Sequence, residues 1–315
     1  MPLGHDQSLF LLAFDHRTSL ERMLEATSTD PDGRQRLIEA KELIFRGFER
    51  AVREGVPKET AGILIDEDYG GEVARRARER GYIFAMPVER SGRNEFEFEH
   101  GDEFPAAVER FNPTFTKALV RFNPEGRRDL NRRQIARLRR LSDWLGEQGR
   151  LFMLELLVPS EPHQLARVGG DPERYDRELR AELMLQAIDE IQQAGVEPDL
   201  WKLEGLDDSE ACRRIAEQAR SGGRQSVSCV VLGRGASIAA VERWLCAAAG
   251  VPGFIGFAIG RSIFAEALLP GDGDGASIAR NYRHFVDVYR GAARDRASRK
   301  STGPAPGSPA PRPPL

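Results

Sequence analysis

One stretch determines how this chain is interpreted: Pro198-Asp199-Leu200-Trp201-Lys202-Leu203-Glu204-Gly205. It has the composition of a short buried strand that ends at a glycine turn, and it places a lysine among apolar residues, where a charge is costly. Because side chains alternate along a strand, Lys202 and Glu204 are predicted to project to one face and Trp201 and Leu203 to the other. A desolvated lysine beside a carboxylate suits Schiff-base chemistry, and a purely structural buried ion pair is the alternative.

Seven further short apolar runs share this character, and longer amphipathic segments separate them. The eight predicted strands are residues 9–14, 62–65, 82–86, 116–121, 151–158, 200–203, 226–232 and 254–259. The predicted helices are residues 34–54, 71–80, 104–111, 131–148, 176–194, 209–219, 237–249, 262–269 and 276–291. Eight strand-then-helix units are typical of a (β/α)8 barrel, which usually has about 250 residues.

An open doubly wound sheet is the alternative fold. Its usual glycine-rich dinucleotide fingerprint is missing after the first strand, which reads Ala13-Phe14-Asp15-His16-Arg17. We therefore predict a TIM barrel in a single domain, residues 1–292. Residues 293–315 are predicted to be a disordered tail, because six prolines occur with serine, glycine and alanine after residue 299.

The overall composition is that of a globular protein of 315 residues, with a net charge of -3 and 30% charged residues. It lacks the basic excess of a nucleic-acid-binding protein and any apolar run near the roughly 18 residues of a membrane span. The first apolar run is too short for a signal peptide, so a cytoplasmic protein is expected. The predicted partner is a small phosphosugar substrate, and no binding to nucleic acid or to a membrane is expected. The sequence leaves open whether the protein forms a homo-oligomer.

Lysine is rare in this chain: only five of its 46 basic residues are lysine. Two of the five, Lys117 and Lys202, lie inside strand-like apolar runs. Arginine does not give up its proton under these conditions, whereas lysine can do so and become a nucleophile. The use of lysine at these two positions therefore favours a chemical role for them.

The active site of such a barrel forms where its strands end. The ionisable residues expected there include Asp15, Lys117, Glu155, Lys202 and Glu204. Two amines among carboxylates suit a class I aldolase, in which an iminium withdraws electrons and a carboxylate moves protons.

Metal catalysis would call for several histidines at the strand ends. The chain has five histidines, of which His16 and His163 could lie near the mouth. We therefore predict neither a metal nor a cofactor.

Two loops near the end of the barrel contain glycine, arginine and the start of a helix, namely Gly233-Arg234-Gly235 and Gly260-Arg261. Loops after strands seven and eight are the usual phosphate site of such barrels, and glycine allows backbone amides to approach an anion. The alternative to a phosphate site is that these glycines only close tight turns and the arginines are solvated. Arg17, Arg90 or Arg121 could bind a carboxylate of the substrate.

Six motifs in order resemble one protein family: Leu12-Ala13-Phe14-Asp15-His16-Arg17, Ile63-Leu64-Ile65-Asp66-Glu67-Asp68-Tyr69-Gly70, Lys117-Ala118-Leu119-Val120-Arg121, Leu154-Glu155-Leu156-Leu157-Val158-Pro159, Trp201-Lys202-Leu203-Glu204-Gly205 and Gly256-Phe257-Ala258-Ile259-Gly260-Arg261. The family is the 2-deoxy-5-keto-D-gluconate 6-phosphate aldolase domain of bacterial inositol catabolism. It is similar to the class I tagatose-bisphosphate and sulfofructose-phosphate aldolases.

The resemblance implies a role for each matching residue. Lys202 would form the Schiff base, Glu155 would move protons, and Lys117 and Asp15 would assist at the carbonyl. The dihydroxyacetone phosphate end would be held by Gly233, Gly235 and Arg261. Asp66 lies in one of the six motifs, but the resemblance assigns it no catalytic role. A structural role in shaping the loop after the second strand is the alternative. Two other functions compete with this one. The protein could cleave tagatose bisphosphate or sulfofructose phosphate, or it could be a non-catalytic barrel that binds a sugar phosphate.

Overall fold

The computed structural model describes residues 3–268 and 274–301, and eight parallel strands in it close into a barrel in chain order. Each strand lies within two residues of its predicted position, and the (β/α)8 prediction is confirmed. The strands are β1 Leu9–Ala13, β2 Ala61–Leu64, β3 Ile83–Pro87, β4 Phe115–Arg121, β5 Leu151–Leu157, β6 Leu200–Glu204, β7 Ser228–Leu232 and β8 Phe254–Ile259.

The inward side chains of the strands form layers inside the barrel. Phe115, Met153 and Leu200 belong to an apolar cluster that fills the lower interior. Side chains alternate along a strand, so the next inward position is two residues further on. Those positions are Lys117, Glu155 and Lys202, so the apolar floor gives way to a charged layer.

Trp201 and Leu203 pack on the other face of the barrel wall, in the large cluster between strands and helices. This confirms the alternation predicted for β6. The helices that cover the wall are α2 Pro31–Arg53, α3 Gly71–Glu79, α4 Phe104–Phe111, α5 Arg128–Glu147, α8 Arg180–Gln193, α9 Ser209–Ala219, α10 Ile238–Ala248, α11 Arg261–Phe264 and α12 Ala276–Ser301.

Three short helices in the loops after strands were not predicted: α1 Thr18–Leu24, α6 Pro162–Arg167 and α7 Pro172–Glu178. They are too short for an apolar period to be recognised. Local signals support two of them, because a capping box of Glu161 and Gln164 begins α6 and the Asp171 side chain caps α7.

Helix α12 continues to Ser301, so the predicted start of the tail at residue 293 is too early. Arg296 keeps this end of the helix against the body by donating hydrogen bonds to the carbonyls of Ala247 and Ala249 and to Ser209 Oγ. The rest of the predicted tail, residues 302–315, lies outside the described residues. No helix among residues 3–268 and 274–301 is long and apolar enough to cross a membrane.

Candidate active site

Lys117, Glu155 and Lys202 meet in the charged layer of the barrel. Glu155 Oε2 lies 2.8 Å from Lys117 Nζ and 2.9 Å from Lys202 Nζ. The parallel register pairs Lys202 with Glu155, and Lys117 lies on the strand on the other side of β5. One carboxylate therefore joins the two amines that the sequence singled out.

Lys117 is the most heavily paired of these groups. Its ammonium is 2.9 Å from Asp15 Oδ2, 2.5 Å from Glu89 Oε1 and 2.8 Å from Glu155 Oε2, and its side chain is 1% exposed. Burial by itself lowers the pKa of Lys117, but the three carboxylates outweigh it and hold that pKa well above its usual value. Lys117 is therefore a permanent ammonium.

The carboxylates around Lys117 differ in their pKa values. Burial raises the pKa of Asp15 and Glu155, but the ammonium groups of Lys117 and Lys202 outweigh this effect, so both pKa values lie below the usual range. The pKa of Glu89 is instead raised, because burial and the negative charge of Asp15 exceed the attraction of Lys117. The cluster thus contains two carboxylates that stay ionised and one that tends to keep a proton.

Glu204 projects to the same side as Lys202, as predicted, but it pairs with arginines. Its Oε2 lies 2.5 Å from Arg180 Nη1 and accepts the backbone N–H of Val158, and its Oε1 lies 3.3 Å from Arg234 Nε. Arg234 also binds Asp176. Its guanidinium, predicted to bind phosphate, therefore has two carboxylate partners of its own.

The charged layer opens into a cavity of about 590 Å³. All the residues predicted for the site line it: Asp15, Arg17, Lys117, Arg121, Glu155, Lys202, Gly233, Arg234, Gly235, Gly260 and Arg261. Gly235 has a positive φ of 70°, and a Cβ there would lie 2.7 Å from the Arg261 guanidinium. The positive φ favours glycine at this position, and the Arg261 guanidinium would have to move to admit a Cβ.

The arginines at the mouth differ in their partners. Arg17 is buried and bonded to Asp68, Glu99 and the carbonyl of Glu89, so it ties loops together. Arg121 donates only to the carbonyl of Arg93 and pairs with no carboxylate of the described chain. Arg121 is therefore the predicted arginine that is best placed to meet an anion in the cavity.

Of the two histidines considered, only His16 lines the cavity. Burial lowers its pKa to about 4, so the ring is neutral near pH 7. His163 lies on the exposed surface of α6, 3.1 Å from Glu125. The absence of a metal remains a prediction.

Three residues of the site were given no role from the sequence, although Glu89 was expected among the ionisable residues at the strand ends. Glu89 follows the end of β3, Lys41 lies on the buried face of α2, and Arg180 begins α8. Lys41 has a recognisable signal, because it occurs at helical spacing within the apolar series Leu37, Ile44 and Phe48, where an unpaired charge would not be tolerated. It pairs with Asp66, which supports a structural part for Asp66 in the loop after β2.

The sequence profile of a bacterial family matches residues 4–292. The chain belongs to the DUF2090 family. That family is described as "Uncharacterized protein conserved in bacteria". No curated protein sequence matches this DUF2090 member.

Solved structures share the fold of this DUF2090 protein at low sequence identity. Cgl0159 from Corynebacterium glutamicum is 20% identical, with a TM-score of 0.57 over 91% of this chain and 88% of that one. Fructose-bisphosphate aldolase from Plasmodium falciparum is 14% identical, with a TM-score of 0.60 over 92% and 89%. A Schiff base-forming fructose-1,6-bisphosphate aldolase is 12% identical, with a TM-score of 0.56 over 90% and 94%. These similarities establish the barrel fold.

Proposed function

We propose that this protein is a class I aldolase in which Lys202 forms a Schiff base with a phosphorylated keto-sugar acid. The observation that carries the proposal is the shared carboxylate: Glu155 Oε2 contacts both Lys117 and Lys202 at the floor of a cavity. A structural ion pair needs one amine and no access to a cavity. The structural neighbours include enzymes named as fructose-bisphosphate aldolases, one of them as Schiff base-forming, which agrees with this chemistry.

The partners of the two amines support Lys202 as the nucleophile. An ammonium held by three carboxylates is a poor nucleophile, and this describes Lys117. Among the described residues, Lys202 pairs only with Glu155. Lys117 then acts as a fixed positive charge that stabilises negative charge on the substrate oxygen during attack.

The ionised carboxylates support the carbon–carbon cleavage step. Once the iminium has formed, a base removes the proton of the substrate hydroxyl, the C–C bond breaks, and its electron pair moves into an enamine. Asp15 and Glu155 can accept that proton because Lys117 and Lys202 keep both carboxylates ionised. The aldehyde product leaves, and protonation and hydrolysis of the enamine release the ketone.

The two ends of the cavity support a substrate with two anionic groups. Gly233, Gly235 and Arg261 follow β7 and β8 and would bind the phosphate through backbone amides and a guanidinium. Arg121 ends β4, which lies opposite β8 in an eight-strand ring. A carboxylate on Arg121 and a phosphate near Arg261 fit 2-deoxy-5-keto-D-gluconate 6-phosphate, cleaved to dihydroxyacetone phosphate and malonate semialdehyde.

Trapping with borohydride tests the mechanism. The chain is incubated with dihydroxyacetone phosphate and borohydride, and its intact mass and peptides are measured. We expect one reduced adduct, located on Lys202 and lost in Lys202→Arg. An adduct on Lys117 would reverse the roles of the two amines. If dihydroxyacetone phosphate binds and no lysine is modified, the aldolase proposal is wrong and a binding-only barrel replaces it.

Turnover of three substrates in parallel tests the identity of the sugar. The ketogluconate phosphate, tagatose bisphosphate and sulfofructose phosphate are compared by kcat/KM at the same pH. We expect the acid substrate to be preferred. A preference for either of the other two would keep the class I mechanism and refute the assigned substrate.

A further inference from the structure

Glu89 is the one carboxylate of the Lys117 cluster that the proposed mechanism leaves without a task. It lies just after β3, where the bridge between Glu89 and Phe98 holds its backbone. Its Oε1 accepts a hydrogen bond from Lys117, and the carboxylate lines the same cavity as Lys202. Its Oε2 is buried and has no hydrogen-bond partner within the described chain. A buried carboxylate oxygen that is ionised and unpaired would be costly, whereas a protonated carboxyl group is neutral, so this environment favours a protonated Glu89.

A continuous chain of contacts joins Glu89 to the nucleophile. Glu89 Oε1 is 2.5 Å from Lys117 Nζ, which is 2.8 Å from Glu155 Oε2, which is in turn 2.9 Å from Lys202 Nζ. Each contact is within hydrogen-bond range, so a proton can shift along the series without entering bulk water. Lys117 would pass one of its protons to Glu89 as it takes one from Glu155, so it is an ammonium before and after the shift.

The charge count of the cluster shows why a proton store is needed. Asp15, Glu89 and Glu155 face two amines, Lys117 and Lys202. Lys202 has to lose a proton before it can attack a carbonyl. Sending that proton to solvent would change the net charge of a buried site, which is unfavourable in a medium of low dielectric constant. With that proton resident on Glu89 and Lys202 a neutral amine, the cluster has the same net charge as it would with both amines protonated and Glu89 ionised.

We propose, on the basis of the aldolase function above, that Glu89 is a further catalytic residue that stores the Lys202 proton and returns it when the iminium forms. The neutral amine forms a C–N bond to the ketone carbon, and one of its protons moves to the oxygen. The Glu89 carboxyl then protonates that hydroxyl, the C–O bond breaks, and water leaves with the electron pair. The nitrogen lone pair completes the C=N bond. The sum is neutral amine, ketone and Glu89 carboxylic acid giving iminium, water and Glu89 carboxylate, and hydrolysis of the iminium returns the proton to Glu89.

The groups that face Glu89 give the role a dependence on pH. Lys117 on β4 lowers its pKa, Asp15 after β1 raises it, and the Arg17 guanidinium lowers it, while burial raises it most. The acid form that donates the proton is therefore lost as the pH rises through this elevated pKa. The rate of iminium formation should fall on that alkaline limb.

The test measures how fast the full chain forms a borohydride-trapped adduct with dihydroxyacetone phosphate, in the parent, Glu89→Gln, Glu89→Asp and Glu97→Gln. Glu97 serves as the matched control because it is a half-exposed carboxylate on the same loop, 3.8 Å from Arg90, and does not contact Lys117. We expect Glu89→Gln to slow adduct formation about 100-fold or more and to abolish the alkaline limb, with the dissociation constant of dihydroxyacetone phosphate unchanged. Glu89→Asp should retain the alkaline limb and form the adduct at a rate between those of the parent and Glu89→Gln. Glu97→Gln should match the parent in rate and in pH profile.

An adduct rate in Glu89→Gln within about threefold of the parent, with the same pH profile, would overturn the assignment. If the glutamine variant does not fold, Glu89→Asp decides: a rate and limb identical to the parent refute the role, and a slower rate with a displaced limb supports it. A parent that forms no adduct refutes the aldolase function itself. The two failures are therefore distinguishable.

Discussion

Lys41 Nζ lies 2.6 Å from Asp66 Oδ2, and neither side chain is exposed to solvent. The same ammonium donates hydrogen bonds to the carbonyls of Phe14 and His16, the two residues that flank Asp15. Asp66 also accepts the backbone N–H of Tyr69. This buried pair therefore ties α2 to the ends of β1 and β2 and holds the backbone on which Asp15 stands.

Replacing Lys41 with methionine should destabilise the protein by about 3–5 kcal/mol, because Asp66 would be left as a buried charge without a partner. Urea unfolding measures the change. The double variant Lys41→Met/Asp66→Asn should recover part of the loss. Arg75→Met is the surface control, since Arg75 and Glu72 are both exposed, and it should unfold like the parent. Equal stability of Lys41→Met and Arg75→Met would contradict the role assigned to the pair.

The two site lysines should differ in what they contribute to stability. Lys117→Met leaves Asp15, Glu89 and Glu155 together without their shared cation, and we expect a loss of about 3–5 kcal/mol. Lys202→Met should cause a smaller loss of stability, because Glu155 keeps its ion pair with Lys117. The Lys117→Met defect should shrink from pH 7 to pH 5, since carboxylates without a cation have raised pKa values and take up protons there. Denaturation of both variants at the two pH values measures these losses. A larger loss of stability in Lys202→Met than in Lys117→Met would refute the prediction.

Gly235→Ala should weaken phosphate binding through Arg261. The new Cβ would lie 2.7 Å from the Arg261 guanidinium, which would have to move. Gly223→Ala is the matched control: it has a similar positive φ, 89° against 70°, but nothing lies within 4 Å of its Cβ. Both should lose about 1 kcal/mol of stability from backbone strain. Calorimetry with inorganic phosphate should show weaker binding only for Gly235→Ala, and equal binding by the two variants would argue against a phosphate site there.

Arg121→Met should reduce kcat/KM for the acid substrate about 10- to 100-fold, the effect of losing one charge-assisted hydrogen bond. Turnover of a neutral ketose phosphate should change far less. Arg90→Met is the control, because Arg90 is near Glu97 and Glu99 at 3.8 and 3.7 Å and already has acidic neighbours. Steady-state kinetics on both substrates decide the matter. If Arg121→Met keeps the parent's preference for the acid over the neutral substrate, the carboxylate of the substrate does not bind to Arg121.

His16 should make the fold sensitive to acid. Its pKa falls from 6.5 to about 4 in the folded state because of burial, so the unfolded chain binds more protons between these values. The free energy of unfolding should therefore decrease as the pH falls through this window, by at most about 3 kcal/mol from this group. Denaturation of the parent and of His16→Asn from pH 7 to pH 4 measures it, and we expect a shallower slope for the variant. Parallel slopes would show that other groups cause the loss.

The convergence of Lys117, Glu155 and Lys202 could be predicted because it depends on local rules. Each is an inward residue of a parallel strand, one layer above the apolar interior, and inward residues of parallel strands meet inside a barrel. Glu89 was expected at the end of the third strand but received no role, because it follows the apolar run of β3, where periodicity no longer indicates which way a side chain points. Arg234 was predicted to bind phosphate from its glycine-rich loop, but its partner Asp176 lies 58 residues away in another loop.

The sequence by itself determined the barrel, the order of its strands and the charged residues at their ends, because apolar periodicity, glycine turns and strand length are properties of neighbouring residues. Only the tertiary structure decided which charge pairs with which: three carboxylates on Lys117, one on Lys202, two arginines on Glu204, and Arg121 without a carboxylate partner in the described chain. Such pairing depends on distances of a few ångströms between residues on strands, helices and loops that are far apart in sequence. The strength of each interaction depends on burial, which exists only once the chain has folded.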